Sequence, residues 1–293
     1  MHLAFLGLGQ IGGSVALAAS GAGFATRISA WTPSGTGPAA ARGAGVVVAR
    51  SVADAIRGAG LIVLAAPPHA CLGLLDELAG AASGDLEADV VITDVASTKT
   101  AIVDRARSLG LRFVGGHPMA GREAAGYGAA DPDLFRARPW VIVPAAPADR
   151  AADTRVRDLA VAVGARPVEM TAEDHDRAVA AISHLPLVVS AALVEAMTEA
   201  PDWSTTAALA AGGWASMTRL AQGDATMGAG IVATNGPAIA ARLRDLQAVL
   251  DGWLRLIDGD DGGTIDLAAL ERRLVAARDA ATSPDPDPDA ADG

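Results

Sequence analysis

The sequence predicts an α/β protein in two parts: a mostly parallel sheet covered by helices, followed by an all-α region. Three observations carry that prediction. Up to about residue 171, short apolar runs alternate with segments of helical period, and repeated strand, helix, strand units imply a parallel sheet buried on both faces. Beyond Thr171 the strand patterns stop and only long apolar helical runs follow. The length, 293 residues, also exceeds what one small core needs. The expected division is 1–171 and 172–281, with a tail at 282–293 that reads as acidic, proline-rich and disordered.

Taken in order, strands are expected at 2–6, 27–31, 46–48, 61–65, 90–93, 112–114, 140–143 and 167–170, with helices at 11–20 and 98–109 between them. The second part begins with an apolar run over 174–200 that Pro186 interrupts, so a kink is expected near His184. Further helices are expected at 205–211, 214–222, 237–257 and 265–281. These runs are too apolar all round to be simple surface helices, and a homodimer is expected to cover part of them.

Composition narrows the function classes. The net charge of -11 sets the surface against a phosphate backbone, so nucleic acid is not an expected partner. No uninterrupted apolar run reaches the roughly 18 residues of a membrane span, and the N-terminus shows no signal-peptide pattern. A cytoplasmic enzyme acting on a small molecule is the expectation. The single cysteine, Cys71, rules out an internal disulfide and reads as a core residue; no metal site is expected. Asp174, His175 and Asp176 read as a charge cluster at a helix N-terminus. The chain also holds 22 arginines against one lysine, Lys99, which is either a surface leftover or a place where a compact ammonium matters.

The first strand runs into GLGQIGG, with Gly7, Gly9 and Gly12 in the spacing of a dinucleotide loop. The first glycine allows a tight turn, the second lets backbone approach a pyrophosphate, and the third permits close helix packing. Gln10 and Ile11 open the helix whose N–H groups would face the diphosphate. That placement makes the first part a Rossmann-type domain. The second strand ends in Thr32, Pro33 and Ser34 without the usual acidic residue, so the usual sequence basis for choosing NAD over NADP is missing; NAD is kept as the favoured cofactor and NADP stays open.

Chemistry is expected where the next strands end. LIVLAAPPHA brings Pro67 to the sheet edge, a shape suited to lying beside a flat cofactor; His69 there is equally an ordinary turn residue. DVASTK follows with Asp94, Ser97 and Lys99. GGHPMAGRE then places His117, Arg122 and Glu123 just beyond a strand terminus. Histidine exchanges a proton near neutrality, which suits removal of a hydroxyl proton during hydride transfer.

GLGQIGGS, DVASTK, GGHPMAGRE, ISHLP and MTRLA, in this order over nearly the whole chain before the tail, resemble the prephenate and arogenate dehydrogenases of tyrosine biosynthesis. The resemblance implies an NAD(P)-dependent oxidative decarboxylation of a cyclohexadienyl ring. It implies His117 as acceptor of the C4 hydroxyl proton and Ser97 as the group that positions that hydroxyl. Arg219 would hold a substrate carboxylate, and His184, Glu123 and Lys99 would line the substrate site. Read without the resemblance, His184 is equally a buried capping histidine and Arg219 an ion-pair partner.

The chain departs from the family at several places. Leu187 stands where many members have a second histidine, Ala215 and Ser216 where a basic residue and an aspartate are common, and Gly228 where a tryptophan often follows methionine. These departures leave two alternatives to a prephenate dehydrogenase: an arogenate dehydrogenase, or a dinucleotide-binding protein without catalysis.

Overall fold

A computed structural model of the chain describes residues 1–121, 124–259 and 265–282. Arg122, Glu123 and the tail beyond Thr282 lie outside the described residues, so the expectations for Glu123 and for a disordered tail concern positions with no structural description. The strands are β1 (His2–Leu6), β2 (Arg27–Trp31), β3 (Val47–Val48), β4 (Leu61–Leu64), β5 (Val91–Asp94), β6 (Phe113–Pro118), β7 (Pro139–Val143) and β8 (Arg166–Glu169). They form one sheet in the order β3-β2-β1-β4-β5-β6-β7-β8.

The pairs from β3 through β6 are parallel, β7 joins β6 antiparallel, and β8 is parallel to β7. Chain order runs outward from β1 through β3 and then returns to place β4 on the other side of β1. The crevice between β1 and β4 is therefore the switch point at which such sheets bind ligands. Alternate residues of each central strand enter opposite layers: Leu3, Phe5, Leu61 and Val63 pack on one face, and Ala4, Leu6, Ile62 and Leu64 on the other.

One strand differs in a way that matters. The sequence suggests an end at residue 114, but β6 continues to Pro118, pairing Gly115 with Val143, Gly116 with Ile142 and His117 with Val141. His117 therefore sits inside the strand, which corrects the expectation that it lies beyond the terminus. Ladder bonds come from backbone, so two glycines cost propensity without preventing pairing. They also permit close packing: a Cβ on Gly116 would come 2.5 Å from the Asp94 carbonyl oxygen.

The helical part opens with Ala172–Val179, capped by the Thr171 hydroxyl accepting from the Asp174 N–H. A π-helical turn, Ala180–His184, then leads into helix Leu185–Thr198. This widened turn is the form taken by the kink expected near His184, because Pro186 offers no N–H to the carbonyl four residues earlier. By length and composition alone the stretch Ala172–Thr198 could cross a bilayer. His175, Asp176 and His184 within it are nevertheless turned into protein, each 4% exposed or less. Helix Ala225–Asp258 breaks from helical geometry at Asn235, two residues before Pro237.

The chain forms two compact units, Met1–Ile239 and Ala240–Gly293. In the second, the Arg273 guanidinium lies 4.3 Å from the centre of the Trp253 ring and donates to the Val249 carbonyl. Val249, Leu250, Leu254, Ile257 and Leu274 are exposed there.

Candidate active site

The glycine loop leaves β1 at the switch point. Gly7 has φ +103° and its Cβ position lies 2.2 Å from the Ala65 carbonyl oxygen, so only glycine fits this turn. Gly9 differs: nothing lies within 4 Å of its Cβ position, and it caps helix Gln10–Gly21 with no side-chain bond to the first N–H groups. Open space in front of a helix N-terminus without a side-chain cap fits a pyrophosphate. At the end of β2 the buried Thr32 Oγ1 has no hydrogen-bond partner, while Ser34 Oγ lies 2.8 Å from Thr36 Oγ1. An orphaned hydroxyl there fits a ribose hydroxyl. Pro67 precedes helix Pro68–Ala79 at the end of the β4 connection, half-buried. The residues present therefore fit a dinucleotide.

Beyond β5 and β6 the sheet edge carries a network of buried charge. Lys99 is fully buried and its Nζ donates to Asp94, which also accepts from the Gly116 and Ala96 N–H groups. Burial pushes the Asp94 carboxyl up, opposed by Lys99 and these bonds. Lys99, expected among the residues that line the substrate site, has its ammonium engaged with Asp94 and shut off from solvent. Its stem lies under β6, 3.3 Å from the Gly115 Cβ position, so it acts as a post beneath the strand that carries His117.

His117 Nδ1 lies 2.8 Å from His175 Nε2, and His175 Nδ1 lies 2.8 Å from Asp176 Oδ1. Asp176 also accepts from the Lys99 N–H at Oδ1 and the Thr100 N–H at Oδ2, each at 2.8 Å, tying helix Ala172–Val179 to the start of helix Thr100–Ser108. Desolvation works to raise the Asp176 carboxyl, but the bonds from His175, Thr100 and Lys99 outweigh it and the net direction is down. His117 is held well below the ordinary histidine range by desolvation first, then by His175, Lys99 and His184.

His184 closes the same cluster from the π-helical turn. Its Nδ1 lies 3.1 Å from Asn235 Nδ2, which also donates to the Asp176 carbonyl at 2.9 Å. An amide nitrogen only donates, so His184 Nδ1 accepts and neutral His184 carries its proton on Nε2. That Nε2 is buried with no partner of hydrogen-bonding geometry, although the Ser97 backbone lies beside it. Desolvation lowers the His184 pKa to about 4. Ser97 Oγ is likewise buried without a partner. Thr98 Oγ1 meets Thr234 Oγ1 at 2.8 Å, a second tie to the helix that carries Asn235.

Of the expected residues, the structure thus brings together His117, Ser97 and His184, with Lys99 beneath them. Arg219 stands exposed at the start of the turn Arg219–Gln222. Ser190 anchors that turn, donating to the Met217 carbonyl at 2.9 Å and accepting from the Ala221 N–H at 3.1 Å. Leu187 and Gly228, two departures from the family pattern, are neighbours, with a Leu187 methyl 3.6 Å from the Gly228 Cβ position.

His175, Asp176 and Asn235 are the residues that the sequence reading missed. For the first two a signal existed. Ala172, His175, Asp176 and Val179 are the buried residues of their helix and fall at i, i+3, i+4 and i+7. A histidine and an aspartate on the buried stripe should read as an internal pair, not as a solvated cluster. Among the described residues no group of three or more histidine, cysteine, aspartate or glutamate side chains is placed to hold a metal ion.

Comparison with known proteins places the chain among known families. Residues 15–169 match the family described as "Prephenate dehydrogenase, nucleotide-binding domain", and residues 171–268 match "Prephenate dehydrogenase, dimerization domain". The prephenate dehydrogenase of Bacillus subtilis is 34% identical over 86% of this chain and 67% of its own length. That of Lactococcus lactis is 31% identical over 66% of this chain, which spans 53% of that relative. Among solved structures, arogenate dehydrogenase from Synechocystis is 30% identical, with a TM-score of 0.77 over 96% of this chain and 100% of that one. Prephenate dehydrogenase from Aquifex aeolicus, solved with hydroxyphenyl propionate and NAD+, shares the fold at a TM-score of 0.83 and 24% identity, over 95% of this chain and 97% of that one. With both family regions matched in sequence and a relative 34% identical over 67% of its own length, the chain belongs to the prephenate dehydrogenase family.

Proposed function

We propose that this chain is an NAD-dependent prephenate dehydrogenase that converts prephenate to 4-hydroxyphenylpyruvate and carbon dioxide. The observation that carries the reading is the buried Ser97 Oγ, which has no hydrogen-bond partner, at the edge where His184 meets the Ser97 backbone and faces His117. Buried polar groups are normally hydrogen-bonded, so an orphaned hydroxyl at this edge calls for a ligand oxygen to meet it. At the same edge His117, kept neutral by its surroundings, is suited to take a proton.

The roles follow from that geometry. His117 Nε2 takes the proton of the ring C4 hydroxyl, and Ser97 Oγ orients that hydroxyl. NAD, when bound, supplies the acceptor for the hydride that leaves C4. Loss of carboxylate from C1 then returns its electron pair to the ring, which becomes aromatic. His184 Nε2–H donates to a substrate oxygen. Arg219, on the turn anchored by Ser190, binds a carboxylate by charge-assisted hydrogen bonds. Gly7, Gly9, Gln10, Ile11 and Gly12 would hold the diphosphate, Thr32 and Ser34 would meet the adenosine ribose, and Pro67 would lie beside the cofactor. The described dimerisation domain and the exposed apolar side chains of the second unit support a homodimer.

The test is a two-by-two assay of prephenate and arogenate against NAD and NADP, following nicotinamide reduction at equal enzyme concentration. Prephenate with NAD should give the highest kcat/KM. The 30% identity to the Synechocystis arogenate dehydrogenase supports arogenate as the second reading, which a faster rate with arogenate would establish. Cofactor binding without turnover of either substrate would overturn both.

A further inference from the structure

We infer that His175 is a positioning residue for His117: together with Asp176 it fixes the imidazole as the Nδ1–H tautomer, leaving Nε2 with the free lone pair that accepts the substrate proton. The inference rests on the reading of His117 as the proton acceptor, and its derivation uses only donors and acceptors. Asp176 receives N–H groups from Lys99 and Thr100 and is a carboxylate, so it has no proton to give. The His175 Nδ1 at 2.8 Å must therefore be the donor. In neutral His175 that leaves Nε2 as an acceptor, and the His117 Nδ1 at 2.8 Å must donate to it. The proton of neutral His117 is then spoken for on the inner side.

Two further features fit this arrangement. The His117 and His175 rings meet edge to face, with centroids 5.1 Å apart and planes at 74°, so the N–H of one points at the lone pair of the other. The acceptor end of the relay is also rigid: Asp176 is 4% exposed, and its own carbonyl accepts from Asn235. When Nε2 takes the hydroxyl proton, the substrate O–H bond breaks and an N–H bond forms. The imidazolium keeps its Nδ1–H bond to His175, and the Asp176 carboxylate offsets the new charge two hydrogen bonds away. The groups facing His117 are His175, His184 and the ammonium of Lys99, itself paired with Asp94. Among these described groups none is an anion in direct contact, and the relay brings the Asp176 carboxylate to the base through two hydrogen bonds.

The experiment has two arms. The first needs no substrate: 15N NMR of histidine-labelled full-length protein near pH 7.5, with His117 assigned by comparison with His117→Asn, reads its tautomer directly. Nδ1–H is expected; a His117 protonated on Nε2 beside an imidazolium His175 would overturn the inference. The second arm compares His175→Leu with His175→Gln, whose amide can accept from His117 and donate to Asp176. His175→Leu should lower kcat about 100-fold with KM for prephenate and Kd for NAD within about twofold, and the acid limb of its pH profile should move. His175→Gln should regain part of kcat. Equal kcat in wild type and His175→Leu would overturn the inference. If His175→Leu does not fold, the tautomer of the wild-type protein decides. An Nδ1–H tautomer in a protein that turns over neither cyclohexadienyl substrate would remove the proposed function and leave the relay standing.

Discussion

Asn235 holds His184 by a single amide hydrogen, 3.1 Å from Nδ1, while its other amide hydrogen is given to the Asp176 carbonyl at 2.9 Å. One side chain at a helix kink therefore sets the direction in which His184 donates and ties it to the helix that carries His175 and Asp176. Asn235→Leu keeps the volume and removes both donors, leaving the buried His184 Nδ1 unpaired and the Asp176 carbonyl with the Ala180 N–H alone. The expected result is a stability loss of about 1–3 kcal/mol by urea denaturation and a rise in KM for prephenate, because His184 is freed to take the other tautomer. An unchanged KM would show that Asn235 serves the kink alone.

Burial of neutral His184 predicts acid sensitivity that begins above the range of carboxylate titration. Its pKa is about 4 in the folded chain against 6.5 as the ordinary value. Above pH 6.5 neither state binds the proton and the folded state keeps its full advantage. As pH falls from about 6.5 to about 4, the unfolded chain takes up a proton that the folded one refuses. Stability should fall over that window by up to about 1.4 kcal/mol per pH unit for this one group. His117, shifted in the same direction, adds to the slope. Urea titrations of wild type and His184→Gln at a series of pH values isolate the His184 share, which appears as the difference between the two curves.

Lys99 and Asp94 make a different kind of prediction, because they form a buried ion pair beneath the strand that carries His117. Lys99→Met leaves Asp94 buried among the Gly116 and Ala96 N–H groups without its cation. Breaking one side of a buried pair typically costs about 3–5 kcal/mol. Lys99→Met/Asp94→Asn keeps an acceptor for the Gly116 N–H and should recover much of that loss. Thermal melts should therefore rank wild type above the double variant and the double variant above Lys99→Met. A Lys99→Met protein of unchanged melting temperature but raised KM would return Lys99 to the substrate-binding role.

Much of the architecture is legible in the sequence because strands buried on both faces leave continuous apolar runs, as Leu61–Leu64 does, and because GLGQIGG announces the turn after β1. Residues whose local pattern points one way while tertiary contacts decide the other are harder to read. Gly115 and Gly116 look like loop, yet backbone pairing with Val143 and Ile142 draws them and His117 into a strand. Lys99 looks like a first-turn surface lysine, yet Asp94 holds it inside. Asn235 carries no sequence signal beyond Pro237 two places on, since its partners come from other helices.

The glycine loop allows fold and cofactor binding to be separated by two substitutions of identical size. Gly7→Ala places a methyl 2.2 Å from the Ala65 carbonyl in a backbone conformation with φ +103°, so the turn itself must deform. Gly9→Ala places the same methyl in open space, where no protein atom lies within 4 Å. The second substitution should leave the melting temperature of the free protein within about one degree and weaken NAD binding at least about tenfold, because the methyl occupies the approach of the diphosphate. The first should lower the melting temperature as well as the affinity. Calorimetric melts with and without NAD, combined with titration calorimetry, read both quantities. Equal NAD affinity in wild type and Gly9→Ala would place the dinucleotide elsewhere on the sheet edge.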